Sequence, residues 1–121
     1  MALSLDLEQK PTHWTMTLVG DLDYGECSQF RMGIDRVLRS ERRLTIADLS
    51  GLGYLDSSGL GLLLAMSKKH AAAGGQLVLI TNRTVDDILS LSRLHGIFAT
   101  ASSMPEAMQM LALEVPAPSA C

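Results

Sequence analysis

Two serine hydroxyls and a carboxylate stand side by side in Asp56-Ser57-Ser58, which is followed by Gly59-Leu60-Gly61. The apolar residues 62–66 come next and are mostly strong helix formers, so the polar residues lie where a strand gives way to a helix. A phosphate at such a point would face backbone N–H groups and the positive end of the helix dipole. The stretch therefore predicts a serine hydroxyl presented at the start of a helix.

Three other chemistries use residues of these types. A serine hydrolase needs Gly-x-Ser-x-Gly and a histidine base, but Leu55 stands where the first glycine should be, and His13, His70 and His95 fit surface or packing positions better. A response-regulator receiver would keep an acidic pair after its first strand and a lysine after its fifth, whereas here the acids follow the second strand and no lysine follows Lys69. Asp21, Asp23 and Asp56 could together hold a cation, but Asp23 also fits a helix cap, which is favoured; no metal site is expected.

The hydrophobic pattern places this motif within an α/β fold. From the second strand onward, strands and helices alternate, which predicts a mostly parallel sheet of about five strands with about four helices, and an N-terminal strand that is antiparallel or at an edge. Loops after the strands then share one sheet edge, where sites of such folds collect. The predicted strands begin near residues 3 and 14 and then span 44–49, 76–80 and 97–99; the predicted helices span 24–39 and 58–73, then lie around 85–89 and 104–111.

Helix starts differ along the chain. Asp23 with Glu26, Thr84 with Asp87, and Ser103 with Glu106 fit the capping-box pattern or a close variant. The motif helix lacks this pattern and instead carries Gly59 and Gly61 in its first turn, at about 1 kcal/mol each relative to alanine. Either the backbone must approach a partner closely there, or the glycines allow tight helix-to-sheet packing and Ser57 is an ordinary N-cap.

Composition limits the functional classes. A chain of 121 residues with 47% hydrophobic and 19% charged residues fits one domain, expected over residues 1–115, with a flexible tail over 116–121. A net charge of -3 disfavours direct nucleic-acid binding. No apolar run approaches the roughly 20 residues of a membrane span, and the N-terminus lacks a basic signal-peptide start. A cytoplasmic protein is expected, with Cys27 and Cys121 as free thiols.

Residues 45–61, TIADLSGLGYLDSSGLG, resemble the signature of STAS domains, specifically the bacterial anti-sigma factor antagonists. Gly20-Asp21-Leu22-Asp23 resembles the family's second motif, and residues 85–98 resemble its third helix and the approach to its last strand. The resemblance covers nearly the whole chain except the tail. It implies a STAS fold, no enzymatic activity of the chain itself, and no cofactor.

The resemblance also implies a partner-switching role. In that scheme an unmodified antagonist captures an anti-sigma factor and frees a sigma factor. The anti-sigma factor, a serine kinase related to histidine kinases, inactivates the antagonist by phosphorylation, and a serine phosphatase resets it. The modified serine directly follows the aspartate, which here is Ser57. The partner-binding residues carried over from the motifs are Asp21, Asp23, Asp56, Ser58, Gly59, Leu60 and Gly61.

The resemblance gives two further expectations. Some STAS domains serve as scaffolds in stress-sensing assemblies or as parts of lipid or anion transport systems, which gives a non-switching interaction domain as the alternative function. The resemblance also allows a weak homodimer.

Overall fold

Alternating apolar side chains build a sheet with two unlike faces. The structure, a computed structural model, describes residues 2–41 and 43–114, so the predicted tail, 116–121, lies outside the described residues. Its elements are β1 (Ser4–Gln9), β2 (Trp14–Leu22), a 3-10 turn (Tyr24–Glu26), α1 (Cys27–Arg39), β3 (Leu44–Leu55), α2 (Ser57–Ala72), β4 (Gln76–Ile80), α3 (Arg83–Leu91), β5 (Ala99–Ala101) and α4 (Met104–Glu114).

The strands lie in the order β1-β2-β3-β4-β5. β1 pairs antiparallel with β2, and every following pair is parallel. This arrangement confirms the predicted α/β fold with its antiparallel edge strand. It also brings the carboxyl ends of β2 and β3 to the same edge of the sheet, where both run into polar residues.

Helices cover the two faces unequally. The larger hydrophobic core joins β2 side chains such as Met16 and Leu18 to Phe30 of α1, Leu63 of α2 and Leu89 of α3. A smaller core joins apolar residues on the other face of β3 and β4 to α4; its buried members are Ile46, Val78, Ile80, Ala101, Ala107 and Leu111. The Asp56-Ser57-Ser58 motif therefore lies at the start of a helix that is packed into the larger core.

Three strand boundaries differ from the sequence prediction. β2 continues to Leu22 and β3 continues to Leu55, so residues expected in loops belong to strands. The glycines at 51 and 53 weaken the strand signal of this part of β3 in the sequence. In the structure this part still pairs with β2, with irregularities in the register, and Leu52 is buried. β5 lies two residues later than predicted, because Ile97 N donates to Leu94 O at 3.0 Å and Ile97 therefore belongs to a turn.

The two glycines in the first turn of α2 have different surroundings. A Cβ at Gly59 would lie 2.7 Å from Leu22 Cγ and 2.9 Å from Leu55 Cδ1, whereas a Cβ at Gly61 would meet nothing within 4 Å. Gly59 thus allows close packing of α2 on the strand ends. Gly61 is exposed and packs against nothing.

These surroundings give opposite expectations for the two alanine variants. Gly59→Ala should lower the free energy of unfolding by about 1–3 kcal/mol through overpacking. Gly61→Ala should raise it by about 0.5–1 kcal/mol, because alanine restricts the unfolded chain and favours the helix. Urea unfolding of both variants measures this, and equal effects of the same sign would contradict the assigned packing.

His70 fixes the other end of α2 to the sheet. Its side chain is buried, Nδ1 lies 2.9 Å from the Met66 carbonyl oxygen, and Nε2 lies 2.8 Å from Thr45 Oγ1 in β3. Because a carbonyl only accepts, Nδ1 carries the proton, and in the neutral ring Nε2 accepts from the Thr45 hydroxyl. The packing role expected of this histidine is the one it has.

Burial lowers the pKa of His70 from its ordinary value of 6.5, although the bond to Met66 acts in the opposite direction. As the pH falls, His70 of the unfolded chain becomes protonated near pH 6.5, whereas His70 of the folded protein becomes protonated only at a lower pH. Stability supplied by the neutral ring is therefore complete above that pH and is lost as the pH falls towards the folded-state pKa. His13 contributes in the same direction, because burial and Lys10 lower its pKa.

We expect the free energy of unfolding to fall between about pH 7.5 and about pH 5, and His70→Gln to reduce that fall. The exposed His95 supplies the matched control, since His95→Gln should keep the slope of the parent. Urea titrations across this range measure the slope. A His70→Gln slope identical to that of the parent would show that this histidine does not couple stability to pH.

Candidate functional site

The ends of β2 and β3 project beyond the rest of the sheet. Pairing of β3 with β4 stops at Asp48 and Ile80, while pairing of β2 with β3 continues to Leu22 and Leu55. Both terminal leucines are buried under α2. Their successors, Asp23 and Asp56, are thus held side by side at the carboxyl edge, and Asp56 N donates a 3.2 Å hydrogen bond to Leu22 O.

The Asp56 carboxylate organises this edge. Oδ1 accepts hydrogen bonds from Ser58 N at 3.0 Å and Gly59 N at 3.1 Å, so Asp56 is the N-cap of α2. Oδ2 accepts from Tyr24 N at 3.0 Å. The interpretation of Ser57 as an ordinary N-cap is therefore wrong: Asp56, which lies between β3 and α2, carries out the capping, a role the sequence pattern did not reveal.

Ser57 is the first residue of α2 and is exposed. Its hydroxyl is not needed as a cap, because Asp56 already satisfies amides of the first turn. Ser58 is half-buried and Gly61 is exposed on the following turn. The site thus presents a primary hydroxyl at the positive end of a helix of 16 residues.

Asp23 does not act as the helix cap that the sequence predicts. Asp23 precedes the 3-10 turn, but its side chain makes no capping hydrogen bond. Tyr24 N donates to Asp56 instead, and Glu26 N donates to the Asp23 carbonyl at 3.0 Å and not to its carboxylate.

The two other predicted caps have different outcomes. The cap of α3 is Asn82, which accepts from Val85 N at 2.8 Å, and not Thr84. Ser103 does cap α4, accepting from Glu106 N at 3.3 Å, although Glu106 reaches back to Ser102.

Asp21 and Asp23 are half-buried beside the projecting strand ends. Asp21 pairs with Tyr54 across β2 and β3, and its Oδ1 would lie 3.4 Å from a Cβ at Gly53. In the part of the chain that the structure describes, no three side chains of metal-binding type are grouped for an ion. The arrangement of Asp21, Asp23 and Asp56 gives the edge an acidic character.

Cys27 lies behind this edge and is a free, buried thiol. It donates to the Asp23 carbonyl at 3.4 Å. Burial, followed by the Asp56 carboxylate, raises the pKa of this thiol. A protonated thiol is a poor nucleophile, so Cys27 belongs to the packing of the site and not to its chemistry.

Two of the residues carried over as partner-binding face inward. Gly59 is buried against Leu22 and Leu55, and Leu60 is only 8% exposed within the larger core. The structure assigns both to packing beneath the site. Sequence reasoning missed two large exposed side chains at the rim, Tyr24 at 80% and Tyr54 at 50% exposure. Their position directly beside the two aspartate motifs was the available signal.

Within the described residues, no helix is both long and apolar enough to cross a membrane. The strand ends and the start of α2 lie within the part of the chain that is similar to known proteins. The STAS domain family model matches residues 4–107.

Two relatives match most of the chain. A STAS-domain containing protein of Pseudomonas aeruginosa is 34% identical over 86 residues, covering 69% of this chain and 83% of the relative. An anti-sigma F factor antagonist of Paenibacillus polymyxa is 29% identical over 99 residues, covering 80% of this chain and 85% of the relative.

The fold is also similar to that of the Bacillus anti-sigma factor antagonist SpoIIAA. The unphosphorylated form superimposes with a TM-score of 0.77 at 25% identity, covering 93% of this chain and 99% of SpoIIAA. The phosphorylated form gives a TM-score of 0.69 at 24% identity, covering 88% and 98%. Since the family model spans the sheet, the three helices of the larger core and the Asp56-Ser57 junction, this chain belongs to the STAS domain family.

Proposed function

We propose that this chain is an anti-sigma factor antagonist that works by partner switching, with Ser57 as the phosphorylated residue. The observation that carries the proposal is the division of roles at the start of α2, where Asp56 caps the helix and Ser57 remains exposed. A serine engaged as a cap would have to give up its hydrogen bond before reaching a kinase. Here the hydroxyl is accessible without any rearrangement of the helix.

Phosphorylation at this position is compatible with the fold. The Ser57 oxygen attacks the γ-phosphorus of ATP, the hydroxyl proton leaves, and ADP departs. The product adds about -1.5 to -2 charge. The N-terminus of α2 partly stabilises that charge, typically by about 0.3–1 kcal/mol, so the domain tolerates the modification.

The partner interface is affected far more than the fold. Ser57 directly follows Asp56, and the adjoining ends of β2 and β3 carry two further acidic residues and two exposed tyrosines: Asp21, Asp23, Tyr24 and Tyr54. A partner that covers this surface must desolvate it. Adding a dianion beside Asp56 makes that desolvation costly, and like-charge contacts with an acidic partner surface would cost several kcal/mol more.

The partners follow from this mechanism. The unmodified protein captures an anti-sigma factor, itself a serine kinase related to histidine kinases, and a serine phosphatase restores the unmodified state. This assignment places the protein in the cytoplasm, with no direct contact to nucleic acid. It is supported by the Paenibacillus relative, named as an anti-sigma F factor antagonist, and by SpoIIAA, for which both an unphosphorylated and a phosphorylated form are known.

The first test concerns Ser57 itself. Incubation with ATP and candidate anti-sigma factor kinases from the same organism should add one phosphate to the parent and to Ser58→Ala, but none to Ser57→Ala. Intact mass measures the modification. Calorimetry should show that Ser57→Ala binds the partner as the unmodified parent does, while phosphorylation weakens binding by at least about a hundredfold, or about 2.7 kcal/mol.

Two results would contradict this assignment. A kinase that modifies Ser57→Ala as readily as the parent would move the switch to another residue. Equal partner binding by the phosphorylated and unmodified proteins would instead favour a non-switching scaffold.

The second test separates the two neighbouring aspartates. Asp56→Ala removes the acceptor of three backbone amides, so it should lower the free energy of unfolding by about 1–3 kcal/mol. Asp23→Ala removes a side chain without a capping bond and should change it by less than about 0.5 kcal/mol.

Both variants should nevertheless slow Ser57 phosphorylation, because both change the surface that the kinase covers. Urea unfolding and initial phosphorylation rates are the measurements. If folded Asp23→Ala is phosphorylated at the rate of the parent, Asp23 takes no part in recognition.

A further inference from the structure

Among the residues that the structure describes, one stretch of β3 has a neighbouring strand on one side only. Residues 50–55, called the outer segment below, pair with β2 up to Leu55. On the other side β4 has already ended, since its last pair with β3 is Asp48 with Ile80. Carbonyl groups on that side face the position where a strand is missing, and backbone polar groups without partners destabilise a fold.

The Asn82 side chain occupies this position. Its amide nitrogen donates one hydrogen bond to Ser50 O at 3.1 Å and a second to Leu52 O at 2.8 Å. Carbonyls two residues apart point to the same side of a strand, so one side-chain amide satisfies the pair that a neighbouring strand would have bound. The Asn82 Oδ1 accepts from Val85 N and caps α3.

Every polar group of the Asn82 side chain is therefore engaged, which fixes its orientation. Its own position is anchored as well, because the preceding residue, Thr81, donates from its backbone to Ala101 O of β5 at 3.0 Å. Asn82 thus connects the end of β4, which is paired with β5, to the outer segment. Glycines at 51 and 53 make that segment weak by itself.

We propose that Asn82 is a positioning residue for the switch. It holds the outer segment on β2 and thereby fixes the place at which Asp56 and Ser57 are presented, four and five residues after Leu52. This inference rests on the proposed function for its consequence, the rate of Ser57 phosphorylation. Its structural half concerns only the outer segment and the start of α2.

The two roles of Asn82 can be separated by substitution. Aspartate and serine are N-caps of about the same strength as asparagine, so Asn82→Asp and Asn82→Ser keep the cap of α3. Neither can donate two hydrogen bonds to the carbonyls of Ser50 and Leu52, and aspartate places a carboxylate against them. Ser103→Ala is the matched control, because it removes a helix cap on α4, away from the outer segment.

The first readout is amide hydrogen exchange followed by NMR. In Asn82→Asp and Asn82→Ser the amides of residues 51–56 should exchange about tenfold faster than in the parent, equivalent to about 1.4 kcal/mol, while amides of β4 keep their protection. Resonances of Ser57, Ser58 and Gly59 should shift in the same two variants. Ser103→Ala should leave both regions as they are in the parent.

The second readout is phosphorylation by the kinase that modifies the parent. Both Asn82 variants should raise the apparent KM for the antagonist at least about threefold with little change in kcat, because Ser57 samples positions in which the kinase cannot bind it. Ser103→Ala should show the parent's values. At a temperature at which every variant is folded, a loss of stability alone would not raise the KM while leaving kcat unchanged.

The outcomes are distinguishable. Unchanged exchange in residues 51–56, or faster exchange spread equally over β4, would overturn the positioning role. Faster local exchange with unaltered phosphorylation would reduce Asn82 to a packing residue, which also overturns it. If no kinase phosphorylates the parent, the proposed function fails, and the exchange pattern with the Ser57 resonances still decides whether Asn82 positions the motif.

Discussion

The hydrogen bonds from three backbone amides to the Asp56 carboxylate are the interaction on which the functional edge depends. One oxygen accepts from Ser58 N and Gly59 N at the start of α2, and the other accepts from Tyr24 N after β2. Bonds from N–H groups to an ionised carboxylate are stronger than those between neutral groups. A single side chain therefore joins the end of β3, the start of α2 and the turn after β2.

This arrangement also leaves the serine that follows the aspartate free of a capping role. A helix start leaves amide donors that need acceptors, and a serine placed there ordinarily supplies its own oxygen. Because Asp56 meets that need, Ser57 contributes nothing to the cap and its hydroxyl stays exposed. Stability of the helix and availability of the hydroxyl are assigned to adjacent residues, so modification of one does not require loss of the other.

The sequence predicts the architecture better than it predicts the contacts of the site. Alternation at Trp14, Met16 and Leu18 identifies a half-buried strand, and the order of strands and helices implies the parallel sheet. The outer segment of β3 is hidden, because its glycines depress strand propensity and its pairing is decided by β2.

The two side chains that organise the edge could not be found from local patterns either. The capping-box pattern has an acidic residue three positions after the cap, but Gly59 stands at that position after Asp56. The role of Asn82 depends on where β4 ends relative to β3, which is a property of the assembled sheet.

Both ends of α2 are tied to β3 by polar contacts, and this limits how a phosphate on Ser57 can act. Asp56 holds the first turn, and His70 reaches Thr45 near the other end. Between them Leu63 and Met66 are fully buried, and Gly59 lies against Leu22 and Leu55. Shifting such a helix would break both polar contacts and open the larger core, at a cost beyond the roughly 1 kcal/mol by which a phosphate interacts with a helix terminus. The phosphate proposed for Ser57 would therefore change the charge and hydration of the exposed surface and not the position of α2.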